Sequence, residues 1–341
     1  MKVKWNANEL YYRQILSSIG IAMLCLLLFM NAFGVLFSAV RSLLPMIVPQ
    51  PMMAEIVGQL FYSIGYLLVF MLPAAILRWS ISKKGHRYRP MKAELRISRW
   101  LPVIVLGGVL LIWVQSYLNS AMVSVFNYQA FSSEVLWESG EMKYGYQIVL
   151  QFIVMALVPA FCEEFLFRGA VLTNLLPFGR VPAILISSLL FAMMHRNAEQ
   201  ILYAFAAGIL LGVIYERSGS IWNCFFLHLF NNFASFALEI AASKLDRDQE
   251  LGWAIAEAAL CVVCIGCTVL LVRFLAPKDP NTEDGIFGRS VPVSDSYAEN
   301  PVSSSKLIRL FFNVPMILFL ALTALQIVLL ILMAWGYGYV A

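Results

Sequence analysis

Charged residues are scarce in this sequence of 341 residues, since they make up only 13% of it, about half the share in an ordinary soluble domain. Hydrophobic residues make up 61%, and the mean hydropathy is +0.78. A soluble core cannot bury that much apolar surface. The composition therefore excludes a disordered chain and a nucleic-acid-binding protein, and it predicts an integral membrane protein.

Cysteine and histidine are also rare, with six and three copies respectively. All six cysteines lie in apolar segments, and the apolar composition of the chain excludes a secreted disulfide scaffold. Three of them, Cys261, Cys264 and Cys267, have a spacing that resembles a metal motif. Because they lie inside one continuous apolar run, we interpret them as small packing residues of a membrane helix.

Seven segments are long and apolar enough to cross a membrane as helices. They are residues 15–40, 56–77, 101–126, 147 to about 162, 221–240, 253–275 and 310–335. Two shorter runs, 181–194 and 201–215, each cover only about 22 Å of a hydrocarbon core of about 30 Å. These two runs are either short helices buried in protein or a hairpin that does not fully cross. The sequence therefore predicts an all-α, polytopic helical bundle with nine transmembrane segments, with eight true spans as the alternative.

The distribution of positive charge predicts the orientation. With the N-terminus in the cytoplasm, 19 of the 24 Lys and Arg residues lie on the inner side and 5 on the outer side, as the positive-inside rule requires. Residues 78–99 then form a basic cytoplasmic loop that anionic lipid attracts, or alternatively a docking face for an acidic partner. Residues 276–306 are rich in Pro, Ser and acidic residues and are predicted to be a flexible cytoplasmic linker before the last helix.

Costly polar residues concentrate between about 145 and 240. An ionisable side chain near the bilayer centre costs about 2.5–3.5 kcal/mol. Arg168 follows Glu164 by four residues, so the two share a helical face and can pair, whereas Glu163 points about 100° away. The spacing predicts that Arg168 neutralises Glu164 and leaves Glu163 as a carboxylate without a pairing cation. The alternative is an ordinary charged helix end at the membrane surface.

Two histidines and an asparagine lie in the same region. His195 ends the run 181–194, and Asn232 follows His228 by one helical turn. An interfacial histidine or interhelical hydrogen bonds would also explain them. Glu163 and a histidine can deprotonate a water, and His with Asn at this spacing can donate two hydrogen bonds to an oxyanion. This is a hydrolase constellation, although Glu163, His195 and His228 could instead ligate a divalent metal such as zinc.

Three ordered motifs resemble those of the CPBP (CAAX protease and bacteriocin-processing) family, also called Abi. They are EExxxR at residues 163–168, FxxxH at 191–195 and HxxxN at 228–232. The resemblance implies an intramembrane endopeptidase related to the type II CAAX prenyl endopeptidases. It places a catalytic core at 145–240 within a single membrane domain, 1–341.

The resemblance also implies roles by position. Glu163 and His195 would activate water, His228 and Asn232 would stabilise the oxyanion, and Glu164 and Arg168 would be supporting residues. Members are usually described as metalloproteases, but these residues leave open whether a metal is needed or a glutamate-activated water suffices. The expected partners are a membrane-associated peptide or protein substrate and the lipid bilayer, without nucleic acid, in the plasma membrane of a bacterium.

Two other functions compete with the peptidase. The first is a non-catalytic membrane regulator or bacteriocin-immunity-type protein with the same fold. The second is a transporter with a Glu/His proton relay, which is disfavoured because no inverted repeat is visible. The sequence indicates neither the substrate nor the oligomeric state.

One geometric condition accompanies the peptidase hypothesis. His195 lies about 20 Å into its membrane segment if that helix starts at Val181. It therefore reaches the level of Glu163 only if its helix begins deeper or if the helix that carries Glu163 runs past Gly169.

Overall fold

The computed structural model describes residues 7–95, 97, 100–125, 145–244, 262, 263, 265–271 and 304–336. Within these ranges the regular structure is all helical, with no strand. The helices in chain order are α1 (Ala7–Ile47), α2 (Pro51–Lys83), α3 (Leu101–Val125), α4 (Gly145–Phe178), α5 (Arg180–Met194), α6 (Ala198–Ser218), α7 (Ile221–Lys244), α8 (Ser304–Phe311) and α9 (Val314–Gly336). The all-α prediction is confirmed.

Five helical stretches among the described residues are long and apolar enough to cross a membrane. They are Ala7–Ile47, Pro51–Lys83, Gly145–Phe178, Gln200–Ser218 and Val314–Leu332. Shorter apolar stretches are Leu101–Val114 and Arg180–Met194. The predicted count of eight or nine spans and the cytoplasmic N-terminus stay predictions.

The structure corrects one predicted boundary. The segment expected to end near Cys162 continues as α4 to Phe178. Two π-helical stretches, Phe152–Leu157 and Phe165–Leu172, lie within it, and Gly179 with φ of +113° ends it. The sequence predicts an end near Cys162 because charged residues begin at Glu163. In the structure these charged side chains are buried in the protein, so the helix does not have to end where they begin.

The other two predicted segments near the C-terminus are covered only in part. Of residues 253–275, the structure describes 262, 263 and 265–271, which are helical. The predicted linker 276–306 lies outside the described residues up to 303, and its last three residues begin α8.

The contacts divide the chain into two compact units, each built from separate stretches of sequence. Unit 1 consists of residues 1–91, 162–196 and 292–330, and unit 2 of residues 92–161, 197–291 and 331–341. The boundary inside α4 falls between Phe161 and Cys162.

In unit 1, α1 packs along α2 and against the end of α4. Tyr12 contacts the Phe178 ring edge-on, with ring centroids 3.9 Å apart, and its hydroxyl donates to the Pro177 carbonyl. Farther along α1, Gly20 faces the start of α9. A Cβ atom at Gly20 would lie 2.8 Å from the Met316 nitrogen, so the two helices approach closely there.

In unit 2, α3 packs against α6 and α7, and the first half of α4 packs against α7. The Phe152 and Phe233 rings meet edge-on with centroids 5.6 Å apart. A Cβ at Gly107 would lie 2.8 Å from the Cys267 carbonyl carbon, so the small residue permits another close backbone approach.

The end of the basic segment 78–99, which leads into α3, forms hydrogen bonds through its backbone. In unit 2, the Lys92 nitrogen donates to the Tyr215 hydroxyl at 3.3 Å, and the Lys92 carbonyl accepts from the Ile221 nitrogen at 3.3 Å. The next carbonyl, that of Ala93, accepts from the Trp222 ring nitrogen at 3.0 Å. The segment is thus attached to the α6–α7 connection at successive residues.

Candidate active site

The EExxxR residues lie deep in α4 and are shielded from solvent. Glu163 is 4% exposed, and Glu164 and Arg168 are each 1% exposed. They belong to unit 1, as does His195. Such burial of three ionisable side chains is unusual unless they are paired or hydrogen-bonded.

Arg168 pairs with Glu164. Its Nη1 donates to Glu164 Oε1 at 2.9 Å across one helical turn. The guanidinium also lies over the Phe191 ring, with its carbon 4.5 Å from the ring centroid. The pairing predicted from the spacing is therefore present, and the charge of Arg168 is balanced within its own helix.

Glu163 has a partner that the spacing argument missed. The Tyr66 hydroxyl of α2 donates to Glu163 Oε1 at 2.7 Å. A short hydrogen bond to a carboxylate stabilises its negative charge and fixes its orientation. Glu163 thus binds a neutral donor 97 residues away in sequence, which the spacing argument did not include.

His195 lies at the end of α5, against the aromatic residue of its motif. The rings of Phe191 and His195 are edge-on with centroids 5.2 Å apart, and Phe191 contacts Phe167 in the same way at 5.3 Å. Phe191 therefore contacts Arg168 on α4 as well as His195 on α5. This explains why an aromatic residue one turn before the histidine suits this site.

Within unit 1, Glu163 and His195 lie at similar distances along their helices from the turn at Gly179. The chain reverses direction at Gly179, so α4 and α5 pack side by side. The Ser187 hydroxyl of α5 donates to the Phe167 carbonyl of α4 at 3.1 Å. At 1.5 Å per residue, Glu163 lies roughly 22 Å from Phe178, and His195 lies roughly 22 Å from Arg180. The condition that the helix carrying Glu163 runs past Gly169 is fulfilled.

His228 and Asn232 lie in unit 2, one turn apart on α7. His228 is 8% exposed. The neighbouring Asn231 is also buried, and its Nδ2 donates to the Tyr203 hydroxyl at 2.8 Å and to Asn232 Oδ1 at 3.4 Å. Asn231 thus orients the Asn232 amide, with the Asn232 oxygen turned toward Asn231.

The family comparison covers this helical region. Residues 145–234 match the family model described as type II CAAX prenyl endopeptidase Rce1-like. This segment is Rce1-like. The match contains all three motifs and confirms the predicted family resemblance. No curated protein and no solved structure matches the chain.

The Rce1-like match and the apolar helices together define the class of protein. The chain is an integral, multi-pass membrane protein with a segment of the CAAX-protease type. The Rce1-like segment contributes to both units, because it includes both halves of α4, α5, α6 and the start of α7.

The described side chains do not form a metal-binding cluster. No group of three His, Cys, Asp or Glu residues within the described ranges is arranged to hold a metal ion. The predicted ligands Glu163 and His195 lie in unit 1, and His228 lies in unit 2. The three predicted ligands thus do not form such a set in the described part of the chain.

Sequence reasoning missed the neutral partners of the motif residues. Tyr66 and Asn231 each contact a predicted site residue directly. A signal for Tyr66 exists in the sequence, because Gln59, Ser63 and Tyr66 are polar residues at helical spacing in an apolar span. Tyr66 lies outside the region 145–240 in which the costly polar residues concentrate, so that concentration does not indicate it.

Proposed function

We propose that this protein is an intramembrane endopeptidase that hydrolyses a peptide bond in a membrane-associated protein or peptide. The observation that carries the proposal is the division of labour between adjacent glutamates in the Rce1-like segment. Arg168 is bound to Glu164, while Glu163 accepts a hydrogen bond from the Tyr66 phenol of α2. A carboxylate that is buried and oriented by a neutral donor suits a general base.

In the proposed reaction, Glu163 and His195 orient a water and remove one of its protons. The water oxygen forms a bond to the carbonyl carbon of the substrate, and the carbonyl oxygen becomes an oxyanion. The proton taken by the base is then delivered to the amide nitrogen as the carbon–nitrogen bond breaks. The products are a new carboxylate and a new amine.

We assign oxyanion stabilisation to His228 and Asn232. Both can donate N–H groups to developing negative charge, and one missing donor of this kind typically costs 10²–10³ in kcat. The hydrogen bond from Asn231 to the Asn232 oxygen supports this assignment. It engages the oxygen of the Asn232 amide and directs the NH₂ group, which is the donor, away from Asn231. Glu164 and Arg168 support the site through their ion pair.

A divalent metal such as zinc belongs to the proposal only as an addition to this chemistry. If Glu163, His195 and His228 held such an ion, an arrangement that the described residues do not show, it would polarise the carbonyl or lower the pKa of water. Dialysis against a chelator tests this part: cleavage that persists after chelation identifies the glutamate-activated water as sufficient.

The decisive experiment compares host membranes that contain wild-type protein or Glu163→Gln at equal levels. New peptide termini are mapped by mass spectrometry. Glu163→Gln removes the base while preserving size and hydrogen bonding to Tyr66. Termini that vanish in this variant alone establish proteolysis and identify the substrate.

The matched control is Glu94→Gln, which makes the same chemical change at an exposed side chain outside the motifs. Its termini are expected to equal those of wild type. If wild type and Glu163→Gln give identical termini under conditions where the protein matters, the peptidase is wrong and the non-catalytic regulator becomes the better hypothesis.

A further inference from the structure

Arg196 directly follows His195 and has an unusual backbone conformation. Its φ is +54°, and no other non-glycine residue in the described ranges has a positive φ. Glycine or asparagine usually takes this position after a helix, because a Cβ atom disfavours it. A residue kept in an unfavourable conformation invites the question of what its side chain does.

Neighbouring helices of unit 1 hold the Arg196 side chain in place. Its Nη1 donates to Asn31 Oδ1 of α1 at 3.1 Å. The same oxygen accepts from Gln326 Nε2 of α9 at 3.0 Å, and Asn31 Nδ2 is itself tied to the Leu27 carbonyl at 2.8 Å. The guanidinium is therefore positioned by an amide that two further bonds keep in place.

The charge of Arg196 is not balanced by this arrangement. Asn31 and Gln326 are neutral, and no carboxylate of the described residues lies within ion-pair distance of Arg196. Its Nε is buried and has no hydrogen-bond partner among the residues that the structure describes. Largely buried arginines ordinarily pair with a carboxylate, as Arg168 does with Glu164 in the same unit.

The position of Arg196 relates it to the site. Consecutive Cα atoms are about 3.8 Å apart, so its backbone adjoins that of His195. Tyr66, which donates to Glu163, lies within electrostatic range of the Arg196 guanidinium. A peptide that reaches Glu163 and His195 would therefore pass close to this cation.

We propose that Arg196 forms a subsite for a carboxylate of the peptide substrate. This inference rests on the proposed function, because it takes the ligand to be the peptide that Glu163 and His195 process. The planar guanidinium matches a carboxylate with two parallel hydrogen bonds. The carboxylate is either the C-terminal group of the peptide or an acidic side chain near the scissile bond.

Three synthetic peptides distinguish these sources. They are N-acetyl-Leu-Leu-Leu as the free acid, the same peptide as its C-terminal amide, and N-acetyl-Leu-Glu-Leu as its amide. Dissociation constants are measured by thermal unfolding of full-length Glu163→Gln protein in detergent, so that turnover does not interfere. We expect one of the carboxylate peptides to bind about 10- to 100-fold more tightly than the neutral peptide.

Arg196→Gln in the same background is expected to abolish this preference. Arg180→Gln, an exposed arginine at the start of α5, is the matched control and should preserve it. Equal binding of the three peptides, or a preference that survives Arg196→Gln, overturns the proposal.

Asn31→Asp provides a second variant in case Arg196→Gln does not fold. It is nearly isosteric and places a carboxylate against Arg196, which should satisfy the cation and remove the preference for acidic peptides. A preference that persists in Asn31→Asp contradicts the proposal. Carboxylate preference without Glu163-dependent cleavage would overturn the proposed function, whereas cleavage without carboxylate preference would overturn the Arg196 subsite.

Discussion

Glu163 and Glu164 are adjacent and identical in type, yet they bind different donors. Glu164 accepts from Arg168 of its own helix, and Glu163 accepts from Tyr66 of α2. The ion pair is local in sequence, because it follows from the four-residue spacing. The tyrosine contact depends on how α2 packs against α4, which lies outside the reach of a spacing rule.

Tyr66→Phe is expected to lower kcat/KM about tenfold while leaving the amount of folded protein unchanged. The variant removes one hydroxyl, and a hydrogen bond to a charged group contributes about 1.5–3 kcal/mol. Because the bond orients Glu163, most of the loss should appear in kcat, with little change in KM. The measurement is cleavage of the substrate found by terminus mapping.

Tyr62→Phe is the control, since Tyr62 lies one turn earlier on the same helix and its ring contacts that of Tyr66. It should retain wild-type kcat. Equal losses in the two variants would mean that a general packing defect, and not the bond to Glu163, explains the result.

The ionisable residues of the candidate site stand out in the sequence, whereas their neutral partners do not. Glu163, His195 and His228 are conspicuous because charge and imidazole are costly in a membrane. A tyrosine or asparagine in a membrane helix is ordinary, so Tyr66 and Asn231 carry no comparable signal. The polar stripe of Gln59, Ser63 and Tyr66 marks one face of α2 but does not indicate that Tyr66 binds Glu163.

At the scale of whole helices, α4 shows that hydropathy alone does not predict where a helix ends. Its apolar first part was predicted, but its continuation to Phe178 was not, because Glu163 to Arg168 interrupts the apolar run. The ion pair and the bond from the Thr173 hydroxyl to the Arg168 carbonyl satisfy polar groups inside the helix. Two π-helical stretches lie on either side of Glu163, and such stretches are frequent at functional sites.

Gly20→Ala tests the close approach of α1 and α9. The new methyl group would meet backbone atoms of Met316, which cannot move aside as a flexible side chain could. We expect destabilisation by about 1–3 kcal/mol, measured by thermal or denaturant unfolding in detergent.

Gly34→Ala is the matched control on the same helix, because a Cβ there meets no atom within 4 Å. Both variants gain the same helix propensity of about 1 kcal/mol, so their difference isolates the packing term. If Gly20→Ala is as stable as Gly34→Ala, α1 and α9 do not pack closely at this position.

For the molecule as a whole, the orientation in the membrane stays a prediction from charge. Gln50→Cys and Arg87→Cys, both at exposed positions flanking α2, provide the test. A membrane-impermeant thiol reagent applied to intact cells should label Gln50→Cys and leave Arg87→Cys unlabelled. The wild-type protein measures the background from the native cysteines, and the reverse labelling pattern would place the N-terminus outside.

The attachment of the basic segment to the α6–α7 connection affects how the protein is degraded. Lys92 has the sequence character of a tryptic site, but its amide and its carbonyl are both engaged. A protease must draw several residues into an extended conformation, so cutting there requires these bonds to open first. Cleavage after Lys92 is therefore governed by local unfolding that opens the backbone hydrogen bonds of this residue and not by the presence of a lysine alone.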